Sequence, residues 1–254
     1  MRVGENETRI VIVIVEGGSE IKCLKPILSS LYDSTNPNYE VMFPEMVING
    51  SKTRGDFTSK FGINPKNAAG RINKFYVDPL LNKYGLSPDC VGEIIHIVDM
   101  DGAYIEDSNI VYDSSRTGYY YGDGEILTNN VESVIKRNKM KRDNIDFLYT
   151  RDFINNKISI PYSMYFFSSN LDHVLHGDAN MPDKAEKTKR AEEFAMRYED
   201  EPENFIKAIK ALPGTLNNMT YEESWKFIME RGENSIKPHT NINILLDRII
   251  KGRK

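Results

Sequence analysis

The sequence predicts an α/β protein: a mostly parallel sheet flanked by helices, with an α-helical C-terminal extension. Two observations carry that expectation. Apolar runs without polar alternation, at 10–15 and 93–98, read as strands buried on both faces. Between the apolar runs lie stretches whose apolar residues recur at helical spacing, and such alternation places helices on both sides of one sheet.

The elements follow in order. Residues 10–15 (Ile-Val-Ile-Val-Ile-Val) form the first strand, which ends at Glu16-Gly17-Gly18-Ser19-Glu20. Ile21, Leu24, Ile27, Leu28 and Leu31 then mark a helix that Pro26 is expected to kink. Residues 39–47 read as an irregular strand near an edge, because Pro44 interrupts it. Residues 49–65 are polar and read as loop. Ala69, Ile72, Phe75, Tyr76, Leu80 and Leu81 predict a helix over 66–84, broken or bent near Pro79. The strand at 93–98 is closed by Asp99-Met100-Asp101-Gly102, and within it His96 reads as a core residue. Residues 107–125 read as a long excursion, of the kind that tends to carry function. A basic helix is expected over 130–143 and a further strand over 162–168. Beyond Pro182 come helices at 183–199, 202–211, 220–231 and 240–251, with Trp225 and Phe227 in their core. The expected division is an α/β domain over 8–180 with the helical extension, 181–254, packed on it.

Composition narrows the function. With 33 Lys+Arg against 37 Asp+Glu and a net charge of −4, bulk charge does not make this chain a coat for nucleic acid. A local basic groove beside an acidic site remains open. No apolar run approaches the roughly 18 residues of a membrane span, and the first nine residues lack the apolar stretch of a secretory signal. Two cysteines, Cys23 and Cys90, make neither a disulfide framework nor a four-ligand zinc site. The expectation is a soluble cytoplasmic protein.

In sheets of this kind, chemistry gathers at the carboxyl ends of the strands. Glu16 follows the first apolar run, Asp99 and Asp101 the third, and Asp172 lies just past the fourth, with Glu20 one helical turn beyond Glu16. One acid ending a strand is commonplace, whereas Glu-Gly-Gly-Ser-Glu after one buried strand and Asp-x-Asp after another form a specific pair. Crowded carboxylates raise one another's pKa, and a hard divalent cation relieves the repulsion. Oxygen donors without a His/Cys cluster favour Mg²⁺ or Mn²⁺ over zinc.

These residues resemble the Toprim domain of topoisomerases, primases and related nucleases. Val15-Glu16-Gly17-Gly18-Ser19-Glu20 and Ile97-Val98-Asp99-Met100-Asp101-Gly102 carry the likeness, which covers residues 8–175. Within that group the chain most resembles the overcoming-lysogenization-defect nucleases and small stand-alone Toprim proteins of phage defence and abortive infection. Ser169-Asn-Leu-Asp172 matches the third element of those families only with Asp in place of Glu. The resemblance implies Mg²⁺-dependent phosphodiester cleavage of DNA or RNA. Glu16, Glu20, Asp99 and Asp101 would be catalytic, Glu16, Asp99, Asp101 and Asp172 would hold metal, and Gly17 and Gly18 would lie against the phosphate. No Gly-x-x-x-x-Gly-Lys-Ser/Thr loop occurs, so an ATPase would have to be a partner protein.

A phosphate backbone calls for cations near the metal. Lys136, Arg137, Lys139, Lys141 and Arg142 form the densest cluster; Lys184, Lys187, Lys189 and Arg190 form the second. The tyrosines at 119–121, beside Arg116, read as loop packing or as a stacking surface for unpaired bases. His173 and His176 sit three apart, as rim residues, a general acid or metal ligands. Two competing readings stand. Asp99 and Asp101, with Phe167-Ser-Ser-Asn170 and Lys184 or Lys187, also resemble a haloacid-dehalogenase-type phosphatase. The domain also reads as a non-catalytic module binding nucleic acid or a partner.

Overall fold

A computed structural model describes residues 8–198 and 201–252. The N-terminal segment read above for a secretory signal lies largely outside them, as does the last residue of the 183–199 helix.

The central sheet has five strands: β1 (Arg9–Ile14), β2 (Tyr39–Met42), β5 (Val91–Asp99), β9 (Phe153–Asn156) and β10 (Ile158–Phe167). Their spatial order is β2-β1-β5-β10-β9. The first four run parallel, and β9 closes one edge antiparallel to β10. The apolar run of β1 is divided by the pleat: Ile10, Ile12 and Ile14 face one core, Val11 and Val13 the other. Each such fully buried side chain contributes roughly 1.5–3 kcal/mol. That explains why the strand carries no polar position after Arg9.

One core lies beneath α1 (Gly18–Thr35), α6 (Lys184–Met196), α7 (Pro202–Ala211) and α9 (Ile242–Lys251). The opposite core lies beneath α2 (Ala68–Ile72), α3 (Asp78–Tyr84), α4 (Val131–Leu148) and α8 (Tyr221–Met229). The C-terminal helices thus supply both layers, with Phe205 and Leu245 on one face and Trp225 on the other. Asn241 Oδ1 accepts the Phe166 amide at 2.9 Å and Thr240 donates to the Phe166 carbonyl at 2.7 Å, which ties this segment to β10 itself.

Several local expectations are corrected. Pro26 lies inside α1 and does not open it with a separate short turn: the helix runs from Gly18 to Thr35, with Cys23, Leu24, Ile27, Leu28 and Leu31 buried on both sides of the proline. Residues 39–47 split at Pro44 into β2 and β3 (Met46–Ile48), and β3 pairs with β4 (Ser51–Thr53) inside the expected loop. The hairpin turns on Asn49-Gly50, both left-handed (φ 51° and 80°), as a two-residue primed turn requires. The helix over 66–84 is interrupted near Pro79 as expected, as α2 and α3 joined by a wide π turn at Asn73–Val77. The excursion at 107–125 contains β6 (Ile110–Tyr112) and β7 (Tyr119–Tyr121). With β8 (Ile126–Thr128) they form a three-stranded sheet, order β6-β8-β7, over a small core of Ile105, Ile110, Ile126 and Ile236. A short helix, α5 (Leu171–His176), follows β10.

His96 is buried in β5 and its Nδ1 meets the Tyr162 hydroxyl at 2.9 Å. Burial drives its pKa down to about 3. A histidine held neutral in the fold stabilises it above the unfolded pKa near 6.5, and that stability is lost as pH falls from there towards 3. Urea titrations across this window are expected to show up to about 1.4 kcal/mol lost per pH unit from this residue. The corresponding slope should vanish in His96→Gln.

Candidate metal centre at the sheet switch point

From β1 the chain crosses by α1 to β2 on one side; it then returns through α2 and α3 to β5 on the other side of β1. The crevice between β1 and β5 is therefore where the strand order reverses, the usual position of a ligand site in open α/β sheets. Glu16 follows β1 and Asp99 ends β5, with the Asp99 amide 3.3 Å from Glu16 Oε1. A cleft of about 1200 Å³ opens there, bordered among others by Glu20, Asp101 and Asp172.

At its floor, Lys141 of α4 lies fully buried and donates to three carboxylates: Asp101 at 2.6 Å, Asp56 at 3.1 Å and Glu16 at 3.2 Å. Burial alone would lower the Lys141 pKa, but the three acids outweigh it and hold it well above the ordinary lysine value. Oxygens of Glu16, Asp56 and Asp101 all lie within 4.8 Å of one another, close enough for one ion. Asp56 was not among the residues singled out from sequence. Burial would raise its pKa; Lys141, Ser59 and Thr58 outweigh burial and hold it at about 2. Its Oδ1 accepts the Thr58 amide at 2.8 Å and the Ser59 amide at 3.1 Å, a turn pattern common for aspartate in any loop.

A second group of acids stands beside this triad. Burial, followed by the charges of Glu20, Glu16 and Asp101, pushes Asp99 well above the carboxylate range. Glu16 is likewise raised, by burial first and then by Asp56. Glu20, buried on the first turn of α1, is raised by burial and by Asp172. Lys187 reaches Asp172 at 3.5 Å. Yet Glu20 Oε2 and Asp172 Oδ1 are buried without a hydrogen-bond partner. Gly17 makes room for the glutamate, since a Cβ there would sit 2.8 Å from Glu20 Oε2.

The Asp-x-Asp turn is held by backbone bonds from three directions: Met100 to Phe167 (2.8 Å), Asp101 to Ser169 (3.0 Å) and Gly102 to Ser235 (3.0 Å). Asp101 (φ 50°) and Gly102 (φ 71°) are both left-handed. A Cβ on Gly102 would come within 2.6 Å of Ile236 and 2.7 Å of Ile126. Gly102→Ala is expected to cost about 2 kcal/mol or more, from steric overlap plus the strained φ, read as a lowered urea midpoint.

The basic cluster of α4 is largely a brace for this turn, not a free cationic face. Arg137 Nη2 donates to the Asp101 carbonyl at 2.7 Å and Arg142 to the Ala103 carbonyl at 2.6 Å; Asn138 donates to the Gly102 carbonyl at 3.1 Å. Lys141 is enclosed by carboxylates and does not face a phosphate. Lys136 is exposed, and Lys139 is exposed and pairs with Asp143 at 2.8 Å. Arg137 nevertheless borders the cleft and keeps one buried nitrogen, Nη1, without a partner. Lys184 and Lys187 border the cleft as well, on α6; in the same helix Lys189 pairs with Glu193 and Arg190 with Glu186. Gly17 and Gly18 line its wall. His173 pairs with the Ser169 hydroxyl, and His176 lies edge-on to Phe194. In the Phe167-Ser-Ser-Asn170 stretch of the phosphatase reading, the Ser168 hydroxyl donates to the Asn234 carbonyl at 3.1 Å.

The fold and its acidic cleft define an α/β protein whose buried carboxylates meet at a topological switch point. Comparisons with protein-family models, curated proteins and solved structures returned no match to this chain. Among the described residues no helix is long and apolar enough to cross a membrane.

Proposed function

We propose that this chain is a Toprim-like hydrolase that cleaves phosphodiester bonds of nucleic acid with Mg²⁺ or Mn²⁺. The observation that carries the reading is the meeting of Glu16, Glu20, Asp99, Asp101 and Asp172 at one cleft between β1 and β5. The donor set suits a hard cation: every candidate ligand is a carboxylate oxygen, and two buried oxygens, on Glu20 and Asp172, lack any other partner. Glu16, Asp99, Asp101 and Asp172 are the residues that would hold it, with Asp56 beside Glu16 and Asp101, whose oxygens lie within 4.8 Å of its own. Such an ion supplies positive charge for the oxygens of the phosphodiester.

The rest is done by the chain. Lys141 holds Glu16, Asp56 and Asp101 together, so their mutual repulsion does not open the cleft floor. Arg137 borders the cleft with its guanidinium charge, and Lys184 and Lys187 add charge along the α6 side. Glu16, whose pKa burial and then Asp56 raise well above the ordinary carboxylate value, is the group for proton transfer. The likeness to phage-defence nucleases sets the proposed biological role, cleavage of nucleic acid during infection, with an ATPase as a separate partner.

The test incubates purified protein with supercoiled plasmid, single-stranded DNA and total RNA, in Mg²⁺, Mn²⁺ or chelator. Cleavage that needs the metal supports the reading. Hydrolysis of p-nitrophenyl phosphate without any phosphodiester cleavage would replace it with a phosphatase.

A further inference from the structure

The small β6-β8-β7 sheet is not used by the chemistry above, yet its β7 strand overhangs the acidic cleft. Tyr121 is tied to the floor, its hydroxyl donating to Asp101 Oδ1 at 2.9 Å. Asn180 pins the same strand through two bonds of 2.8 Å to the Tyr121 backbone. Held this way, Tyr119 and Tyr120 project to opposite faces of the strand and both border the cleft. Each ring is backed by a guanidinium: Arg137 lies 4.3 Å from the Tyr119 centroid and Arg116 3.9 Å from that of Tyr120. Arg116 is itself oriented by Asp113 at 3.3 Å. Tyr119 remains 47% exposed, and Arg137 also carries the unpartnered buried Nη1.

A tyrosine–guanidinium pair on each face of one strand, both bordering the cleft, offers stacking surfaces for nucleobases. Bases inside a duplex are stacked on one another and cannot lie on it. We propose that Tyr119, Tyr120, Arg116 and Arg137 select single-stranded nucleic acid, the bases lying on β7 while the backbone runs over the acidic floor. This deepens the nuclease reading and rests on it for the role of the floor.

The test is fluorescence anisotropy at fixed salt, in chelator so that nothing is cut, with a labelled oligothymidylate of about twelve nucleotides and a duplex of equal length. The single strand is expected to bind at least about tenfold tighter than the duplex. Tyr119→Ala should weaken single-strand binding by roughly 5- to 150-fold, the range for one lost stacking contact, and Tyr119→Phe should restore it. Arg116→Gln, at a partly exposed position, should lower the affinity severalfold without depending on how Tyr119→Ala folds. Equal affinity for strand and duplex, or no loss in both Tyr119→Ala and Arg116→Gln, overturns the proposal. An oligonucleotide bound through Tyr119 but uncut in Mg²⁺ and Mn²⁺ would sink the nuclease reading and leave the platform. Cleavage of duplex by Tyr119→Ala at the wild-type rate would do the reverse.

Discussion

Replacing Lys141 with alanine is expected to destabilise the protein by about 3–5 kcal/mol, because it leaves Glu16, Asp56 and Asp101 buried without their shared cation. The magnitude follows from asymmetry. A buried ion pair adds little over an apolar isostere, but removing one partner exposes the full desolvation cost of the other. Here three acids share one ammonium, so the loss is at the upper end. Their oxygens lie within reach of a single ion, so Mg²⁺ or Ca²⁺ should restore stability to Lys141→Ala and raise its melting temperature more than it raises that of the wild type. Urea unfolding with and without the ions measures both effects. An unchanged urea midpoint in ion-free buffer would mean that the ammonium does not hold the triad.

Asp99→Asn should move stability and activity in opposite directions. Burial and three neighbouring acids disfavour the ionised form of Asp99 in the fold. Its cost is therefore absent at low pH and grows as pH rises from the unfolded value near 3.9 towards the raised folded one. The neutral amide removes that cost, for an expected gain of about 0.5–2 kcal/mol at neutral pH. Metal-dependent cleavage should fall at least about 100-fold, since an amide is a weaker ligand for a hard cation and carries no charge. Glu16→Gln should lose activity to a similar degree. A thermal melt beside a plasmid-nicking assay reads the two effects together. Full nicking activity in both variants would remove these residues from the chemistry.

The parts of this site legible in the sequence are those that local pattern dictates. A strand buried on both faces has no polar position until it leaves the sheet, so Glu16 after β1 and Asp99 at the end of β5 stand out. Parallel pairing of β1 with β5 then brings them together. Asp56 was not legible. It lies on a polar stretch after a short hairpin, and its contact with Lys141 spans 85 positions that no spacing rule connects. Helix α4 misled for a related reason. Asn138, Lys141 and Asn144 are fully buried, yet they carry the residue types of a solvated face. A polar stripe that holds a turn and an acidic floor has the same composition as one that faces water. The three-stranded sheet was hidden by length, since strands of three residues give period-two alternation no room to register.

Anomalous scattering from crystals soaked in Mn²⁺ tests most directly whether the cleft carboxylates seat a divalent ion. A manganese peak in the cleft, within coordination distance of Glu16 and of Asp99 or Asp101, is the predicted result. A crystal saturated with Mn²⁺ that shows no peak anywhere in the cleft would contradict it.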